Sequence, residues 1–236
     1  MTAQPATLDL LLLAILPYVA LFAFAVVTVQ RYVQQTFSYS SLSSQFLENQ
    51  QHFWSLVPFH YGILVVLSGH LVAWLLPRQL LAWNSHPVRL YVLEVSALVF
   101  GLLTLLGLVN LVIRRLVTPK VRVVTTRTDW VLYGLLLLQV ASGIYVAVFH
   151  PWGSSWFAAA MTPYLWSLLS LSPDLSTVAG LPVAVKVHIV NAWLLIGFFP
   201  FTRLVHVLVV PNPYLWRKPQ VVRWYRRQSA SGTGAS

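Results

Sequence analysis

Five long apolar runs dominate this chain and constrain what it can fold into. They cover about residues 8–29, 55–76, 90–113, 129–149 and 183–210. An α-helix rises about 1.5 Å per residue, so about 20 apolar residues cross a hydrocarbon core of roughly 30 Å. Only 8% of the 236 residues are charged, and the runs leave no room for a large soluble catalytic domain. The sequence therefore predicts an all-α integral membrane bundle of five transmembrane helices.

The basic residues indicate how this bundle is oriented. If the five runs are spans, twelve Lys and Arg residues fall on one side of the membrane. Three, namely Arg78, Arg89 and Lys186, fall on the other. Cytoplasmic loops of membrane proteins carry the excess of Lys and Arg. We therefore expect the N-terminus outside and the C-terminus inside, with the chain in the cytoplasmic membrane.

Two further segments do not fit the pattern of a span. Residues 156–171 are apolar but few, and they contain Pro163, which favours an interfacial or re-entrant segment. The tail, 211–236, is expected on the cytoplasmic side. Its first part mixes basic and aromatic residues, which suits either an interfacial anchor or a surface that docks a soluble partner. Its last part, SASGTGAS at 229–236, is predicted to be disordered.

Histidines supply the metal chemistry that this sequence allows. The chain has no Cys, which excludes thiolate nucleophiles, Cys-ligated iron–sulfur clusters and covalent CxxCH haem attachment. Four histidines lie within predicted spans, His60 and His70 in the second and His188 and His206 in the fifth. A single buried His is commonly structural and hydrogen-bonded. Four on only two helices indicate haem ligation, because polar groups at membrane depth are costly and His is a usual axial ligand.

Helix geometry predicts how these histidines pair. Ten residues separate the first two and eighteen the last two, which is about 15 Å and about 27 Å along an ideal helix, so neither pair shares one iron. Antiparallel spans then place His60 beside His206 near the inner face and His70 beside His188 near the outer face. The two rises differ by about 12 Å, and we expect a kink at Pro200 to absorb part of the difference. Bis-His ligation leaves no open position on iron, which favours electron transfer.

Several short motifs resemble the gamma subunit of respiratory nitrate reductase, a dihaem cytochrome b membrane subunit. They are LPYVA at 16–20, FHYGIL at 59–64, GH at 69–70, TPKVR at 118–122, VHIV at 187–190 and PFTRLVH at 200–206. The resemblance implies that the subunit oxidises quinol near the outer face and passes electrons inward through two haem b groups. An iron–sulfur subunit and a molybdenum catalytic subunit that reduces nitrate would receive them on the cytoplasmic side. The family's axial ligands fall on the same four histidines.

The resemblance also suggests a quinol site beside the outer haem. It implies that this site uses Gly69 and a residue at the start of the third span. The family has Lys at that position, and this chain has Arg89. Arg keeps the charge and donates hydrogen bonds, but it does not readily release a proton as Lys does. His86 is an alternative polar partner for quinol. Glu94 is a candidate proton acceptor or an ion-pair partner of Arg89.

Some alternatives remain open at this stage. Arg203 lies three residues before His206, and two roles are open for it. It pairs with a propionate of the inner haem, or it is simply one of the basic residues on the cytoplasmic side. The same bundle also suits a dihaem b subunit of another quinone-linked complex, such as a nitrite-oxidising, sulfite-reducing or heterodisulfide-reducing one. A membrane anchor without redox function is a further alternative. The excess of Lys and Arg on the cytoplasmic side explains the net charge of +10, so no nucleic-acid partner is expected.

Overall fold

A computed structural model describes residues 7–34 and 50–209 of the chain. Within this part, five helices are long and apolar enough to cross a membrane, which confirms the predicted count and fold class. The five helices are α1 (Thr7–Gln34), α2 (Gln50–Leu75), α3 (Pro87–Val117), α4 (Arg127–Phe149) and α5 (Val183–Phe198). The predicted tail, 211–236, lies outside the described residues.

Local sequence signals explain where the helices begin. Pro87 opens α3, where its missing N–H costs nothing because the first N–H groups of a helix have no partner within it. A capping box opens α4: the Asp129 backbone N–H donates to Thr126 Oγ1 at 3.2 Å, and the Thr126 N–H donates to Asp129 Oδ2 at 2.8 Å. Such reciprocal bonds satisfy donors that the helix leaves open.

The end of the fifth span differs from the prediction. We expected helix over 183–210, but α5 ends at Phe198 and a 3-10 turn follows over Phe199–Phe201. Thr202 is extended, with φ −114° and ψ 179°, and a second 3-10 stretch covers Arg203–Val209. Pro200 has no N–H to donate to the preceding turn and its ring obstructs a continuing helix. The prediction of a kinked but continuous helix was therefore wrong, because the helix breaks.

Glycines bring α2 and α3 into close backbone contact. A Cβ on Gly62 would collide with the Thr104 side chain and lie 2.7 Å from Phe100 O. A Cβ on Gly107 would collide with the Phe59 backbone. Small residues allow this approach in membrane helices. Gly62 and Gly107 are therefore used for helix packing.

The remaining helices pack in the order α3, α4, α5, α1. Residues 153–169, helical in three consecutive stretches, then connect α1 and α2 at one end of the bundle. Tyr164 Oη donates to Leu13 O of α1 at 2.7 Å, and Thr162 Oγ1 donates to Ala73 O of α2 at 3.1 Å. We call the end of the bundle where residues 153–169 lie the segment end. The segment is not among the helices long enough to cross a membrane, in agreement with its prediction as a non-spanning element.

Basic side chains hold the opposite end together, which we call the basic end. Arg31 of α1 donates to Pro200 O at 2.6 Å and Thr202 O at 3.0 Å, where α5 breaks. Arg115 of α3 donates to Tyr133 Oη of α4 at 2.6 Å. These bonds satisfy carbonyl and hydroxyl groups at helix ends, so the cations contribute to the fold as well as to the charge asymmetry.

Candidate functional site

His60 and His206 lie side by side at the basic end. Their ring centroids are 6.4 Å apart with an interplanar angle of 68°. His60 belongs to α2, and His206 lies in the 3-10 stretch that follows Pro200. Because the chain is not an ideal helix across Pro200, the rise of about 27 Å expected for eighteen helical residues does not apply. The break therefore removes the ideal-helix length from which the mismatch was calculated.

The Nδ1 atoms of three histidines are bonded to backbone carbonyls. His60 Nδ1 donates to Leu56 O at 2.8 Å and His70 Nδ1 to Val66 O at 2.8 Å. His206 Nδ1 donates to Arg203 O at 2.7 Å. A carbonyl only accepts hydrogen bonds, so the proton is on Nδ1 and the lone pair of Nε2 is left for a metal. Metal-bound histidines commonly have this second hydrogen bond.

His70 and His188 both lie toward the segment end. His70 is exposed on the surface of the bundle, and its ring contacts Phe157 edge-on with centroids 5.3 Å apart. His188 is half-buried. Its Nδ1 is 3.0 Å from Ser142 Oγ of α4, and its Nε2 is 3.2 Å from Gln139 Nε2. The structure therefore brings one predicted pair together, His60 with His206, and places His70 and His188 toward the same end of the bundle.

The donor set fits haem iron better than a compact metal site. Within residues 7–34 and 50–209, no three His, Cys, Asp or Glu side chains group together as ligands for a metal ion. His60 and His206 instead form a pair, which is what two axial positions require. In the same part of the chain, α2 packs along α3 while α5 packs along α1 and α4, and no extensive α2–α5 packing occurs.

The predicted quinol residues lie near the start of α3 and on α2. Gly69 has open space where a Cβ would point, with nothing within 4 Å. The Arg89 guanidinium lies over the Trp83 ring, 5.2 Å from its centroid. His86 is exposed at the N-cap of α3. None of these contacts tests a role in quinol binding, so all three assignments stay predictions.

Glu94 makes a different contact from the one expected. Its Oε1 accepts from the Ser154 backbone N–H at 2.9 Å and from Ser154 Oγ at 2.6 Å. No ion pair with Arg89 forms among the described residues. A carboxylate is favourable at the start of a helical stretch, where N–H groups are unpaired. Asn84 Nδ2 also donates to Ser154 Oγ, at 2.9 Å, so Glu94 belongs to a polar cluster close to the His70–Phe157 contact.

Arg203 binds an acidic side chain of the protein. Its Nε donates to Asp129 Oδ1 at 2.7 Å and its Nη2 to Asp129 Oδ2 at 2.9 Å. The guanidinium thus forms a bidentate pair with Asp129. A propionate contact stays a prediction, and Arg203 would have to make it in addition to this pair.

Three polar residues that sequence reasoning missed surround His188. Gln139 and Ser142 contact the ring directly, and Asn191 Nδ2 donates to Gln139 Oε1 at 2.7 Å. The signal was present in the sequence: Gln139 and Ser142 are three residues apart in an otherwise apolar span, so they share a helix face. Asn191 is likewise three residues after His188.

The fold and the paired histidines define a class, the polytopic helical membrane proteins with a histidine pair between spans. Comparison with known sequences identifies the family. The profile of the nitrate reductase gamma subunit family matches residues 9–225, and the chain belongs to this family. It is therefore a multi-pass membrane subunit of an oxidoreductase complex, and the other nitrate reductase subunits are its implied partners.

Individual relatives agree over most of the chain. The nitrate reductase gamma chain of Bacillus subtilis is 32% identical over 223 residues, covering 93% of this chain and 98% of the relative. The respiratory nitrate reductase 1 gamma chain of Escherichia coli is 31% identical over 221 residues, covering 92% and 97%. A more distant relative is a subunit of the dihydromethanophenazine:CoB–CoM heterodisulfide reductase of Methanosarcina thermophila. It is 25% identical over 138 residues, covering 58% of this chain and 46% of the relative.

Proposed function

We propose that this chain is the dihaem cytochrome b subunit of a respiratory nitrate reductase. It would oxidise quinol near the outer face and deliver the electrons to an iron–sulfur subunit and a molybdenum catalytic subunit at the cytoplasmic side. The observation that carries the proposal is the His60–His206 pair, with ring centroids 6.4 Å apart. Both rings have Nδ1 bonded to a carbonyl and Nε2 available.

The protein's part in holding haem follows from these contacts. His60 and His206 would ligate the inner haem, and His70 and His188 the outer one. The backbone carbonyls that accept from Nδ1 of His60, His70 and His206 fix the tautomer and the direction of each ring, so the ligand lone pair is oriented before binding. Haem b held by these histidines would supply reversible one-electron chemistry.

The proposed quinol site lies at the segment end. Oxidation of a quinol to a quinone releases two electrons and two protons. Arg89 would donate a hydrogen bond to a quinone oxygen, and the open face of Gly69 would admit the ring beside His70. Glu94 is the proposed proton acceptor, because its carboxylate lies in the polar cluster next to the His70–Phe157 contact. His86, exposed at the start of α3, is the alternative polar partner.

Sidedness supports the same direction of electron flow. Arg31, Arg115 and Arg203 lie at the basic end, and the positive-inside rule assigns such an end to the cytoplasm. The quinol site is then outer and the partner subunits are inner. The tail, 211–236, would contribute to docking those subunits from the same side.

Substitution of the four histidines tests the proposal. His60→Ala and His206→Ala should each remove the inner haem, whereas His70→Ala and His188→Ala should each remove the outer one. The four purified variants are compared by haem content, optical spectra and redox titration. Two phenotypes grouped by helix, rather than by the pairs above, would refute the assignment. Wild-type protein that contains no haem b after native purification would refute the proposal as a whole.

A second candidate is supported by the archaeal relative. That protein is a heterodisulfide reductase subunit, and it matches over 58% of this chain. The chain would then serve as the dihaem b subunit of a different quinone-linked complex. Isolation of the native complex decides between the two, because it identifies the soluble subunits and the acceptor that quinol oxidation reduces.

A further inference from the structure

A second polar cluster, distinct from the one around Glu94, lies between the otherwise apolar spans α4 and α5. Its members are Gln139 and Ser142 of α4 and His188 and Asn191 of α5. Polar groups inside a bilayer are costly unless they bond to one another. Asn191 is 2% exposed, and Gln139, Ser142 and His188 are half-buried. The hydrogen bonds among these side chains determine the state of the His188 ring.

The hydrogen bonds of the cluster are compatible with His188 as a ligand of the outer haem. Asn191 Nδ2 donates to Gln139 Oε1 at 2.7 Å, which leaves the Gln139 amide N–H groups to face His188. That amide nitrogen lies 3.3 Å from His188 Nδ1 and 3.2 Å from Nε2, and Ser142 Oγ lies 3.0 Å from Nδ1. In the proposed function Nε2 is kept for iron, so Nδ1 carries the proton. Ser142 Oγ, which donates to the Gln139 backbone carbonyl at 3.1 Å, then accepts from His188 Nδ1.

A glycine completes the surface on which the His188 ring lies. A Cβ on Gly143 would be 2.9 Å from His188 Cε1, closer than side chains tolerate. Gly134, about two and a half turns earlier in α4, has nothing within 4 Å of the same position. Gly143 is therefore required for contact with the ring, whereas Gly134 is not.

His188 differs from the other three histidines in what holds its Nδ1. Their partners are backbone carbonyls three or four residues earlier in the chain, which no side-chain change removes. The partner of His188 is a side chain of a neighbouring helix. Its hydrogen bond is therefore a feature that substitution can alter.

We infer that Gln139, Ser142 and Gly143 form a seat on α4 that orients His188 and tunes the reduction potential of the outer haem. This inference rests on the proposed function. A hydrogen bond from Nδ1–H makes the imidazole a stronger electron donor and stabilises the oxidised iron, which lowers the potential. In the haem-bound protein, His188 Nε2 would bind iron in place of the Gln139 amide, and Nδ1 would keep its bond to Ser142. Ser142 is thus a positioning residue that acts through His188.

Redox titration of the purified holo-complex tests the seat. The outer haem is first identified as the one absent from His70→Ala. Ser142→Ala should raise its potential and leave that of the inner haem unchanged, and Ser142→Thr, which restores the hydroxyl, should return it towards the wild-type value. Electron paramagnetic resonance of the oxidised protein reports ligand orientation independently of activity.

A matched pair of glycine variants tests the steric part. Gly143→Ala should shift the resonance of the outer haem or lower its occupancy, whereas Gly134→Ala should retain both haems with wild-type spectra. Unchanged outer-haem potential in Ser142→Ala together with an unchanged signal in Gly143→Ala would overturn the seat while leaving the proposed function intact. Loss of the outer haem in Ser142→Ala without recovery in Ser142→Thr would also overturn the hydrogen-bond role. A wild-type protein without haem would overturn both proposals.

Discussion

The Asp129–Arg203 pair ties α4 to the broken end of α5, and removing its negative charge should destabilise the basic end. Two bonds of 2.7 and 2.9 Å join the side chains, which are 5% and 16% exposed. Loss of one partner from a buried pair costs about 3–5 kcal/mol, because the other charge stays buried and unpaired. Since Arg203 retains some exposure, we expect about 3 kcal/mol for Asp129→Asn, the low end of that range.

The expected loss is large enough to measure by thermal unfolding. For a chain of this size, 1 kcal/mol lowers Tm by about 2–4 °C, so Asp129→Asn should lower it by about 6–12 °C. Thr126→Ala is the matched control, because it removes only the helix cap of α4 and should cost about 1 kcal/mol. Circular dichroism in detergent gives both values. The double variant with Arg203→Leu should lose less than the sum of the single variants, since the two residues interact directly.

The same substitution should affect one haem more than the other. His206 Nδ1 donates to Arg203 O at 2.7 Å, so disorder at Arg203 reaches the inner ligand pair first. We expect Asp129→Asn to lower inner-haem occupancy and leave the outer haem in place. A Tm within a degree of wild type, or a loss no greater than that of Thr126→Ala, would refute the energetic reasoning. Preferential loss of the outer haem would refute the structural link.

Three further predictions concern other parts of the chain. Gly107→Ala should force α2 away from α3 at Phe59 and cost about 1–3 kcal/mol in thermal unfolding, while Gly134→Ala should be close to neutral; equal effects would contradict the close-packing argument. Arg89→Ala should slow haem reduction by a quinol analogue in stopped-flow measurements without haem loss, and Arg89→Lys should keep much of the rate; wild-type kinetics in Arg89→Ala would exclude it from the quinol site. Deletion after Pro211 should release the soluble subunits while both haems stay in the membrane, and retention of the full complex would assign that segment to anchoring alone.

The features that sequence predicted well are those carried by local pattern. Apolar runs determined the number of spans, because burying a helix in lipid requires about 20 apolar residues and little else. Spacing along the chain also predicted the His60–His206 pair that the structure contains, since antiparallel neighbours leave few arrangements. The end of α5 was mispredicted because hydropathy reports burial in lipid and not helix continuity. The largely apolar residues 199–209 look like a continuation of the fifth span, yet Pro200 breaks the helix.

Contacts between distant residues were not predictable in the same way. Arg203 and Asp129 are 74 positions apart, and a bidentate pair between them follows only from the packing of α4 against the end of α5. Glu94 was expected to pair with Arg89, five residues earlier. The unpaired N–H of Ser154, at the start of a helical stretch, competes successfully for that carboxylate because helix N-termini attract negative charge. Neither the Arg203–Asp129 contact nor the Ser154–Glu94 contact is predictable from local sequence.

The placement of the histidines bears on how much energy the proposed reaction conserves. His60 and His70 are ten residues apart on one helix, about 15 Å along its axis and about half of a roughly 30 Å hydrocarbon core. Moving one charge across the whole membrane against about 100 mV costs about 2.3 kcal/mol, so an electron crossing between these levels accounts for about half of that. The remainder depends on how far the quinol protons travel outward and how far the electrons travel inward to the partner. A quinol site at the segment end and a partner at the basic end place these two transfers at opposite faces. Both transfers move charge in the same sense as the electron movement, so they add to the half charge that crosses between the two haem levels.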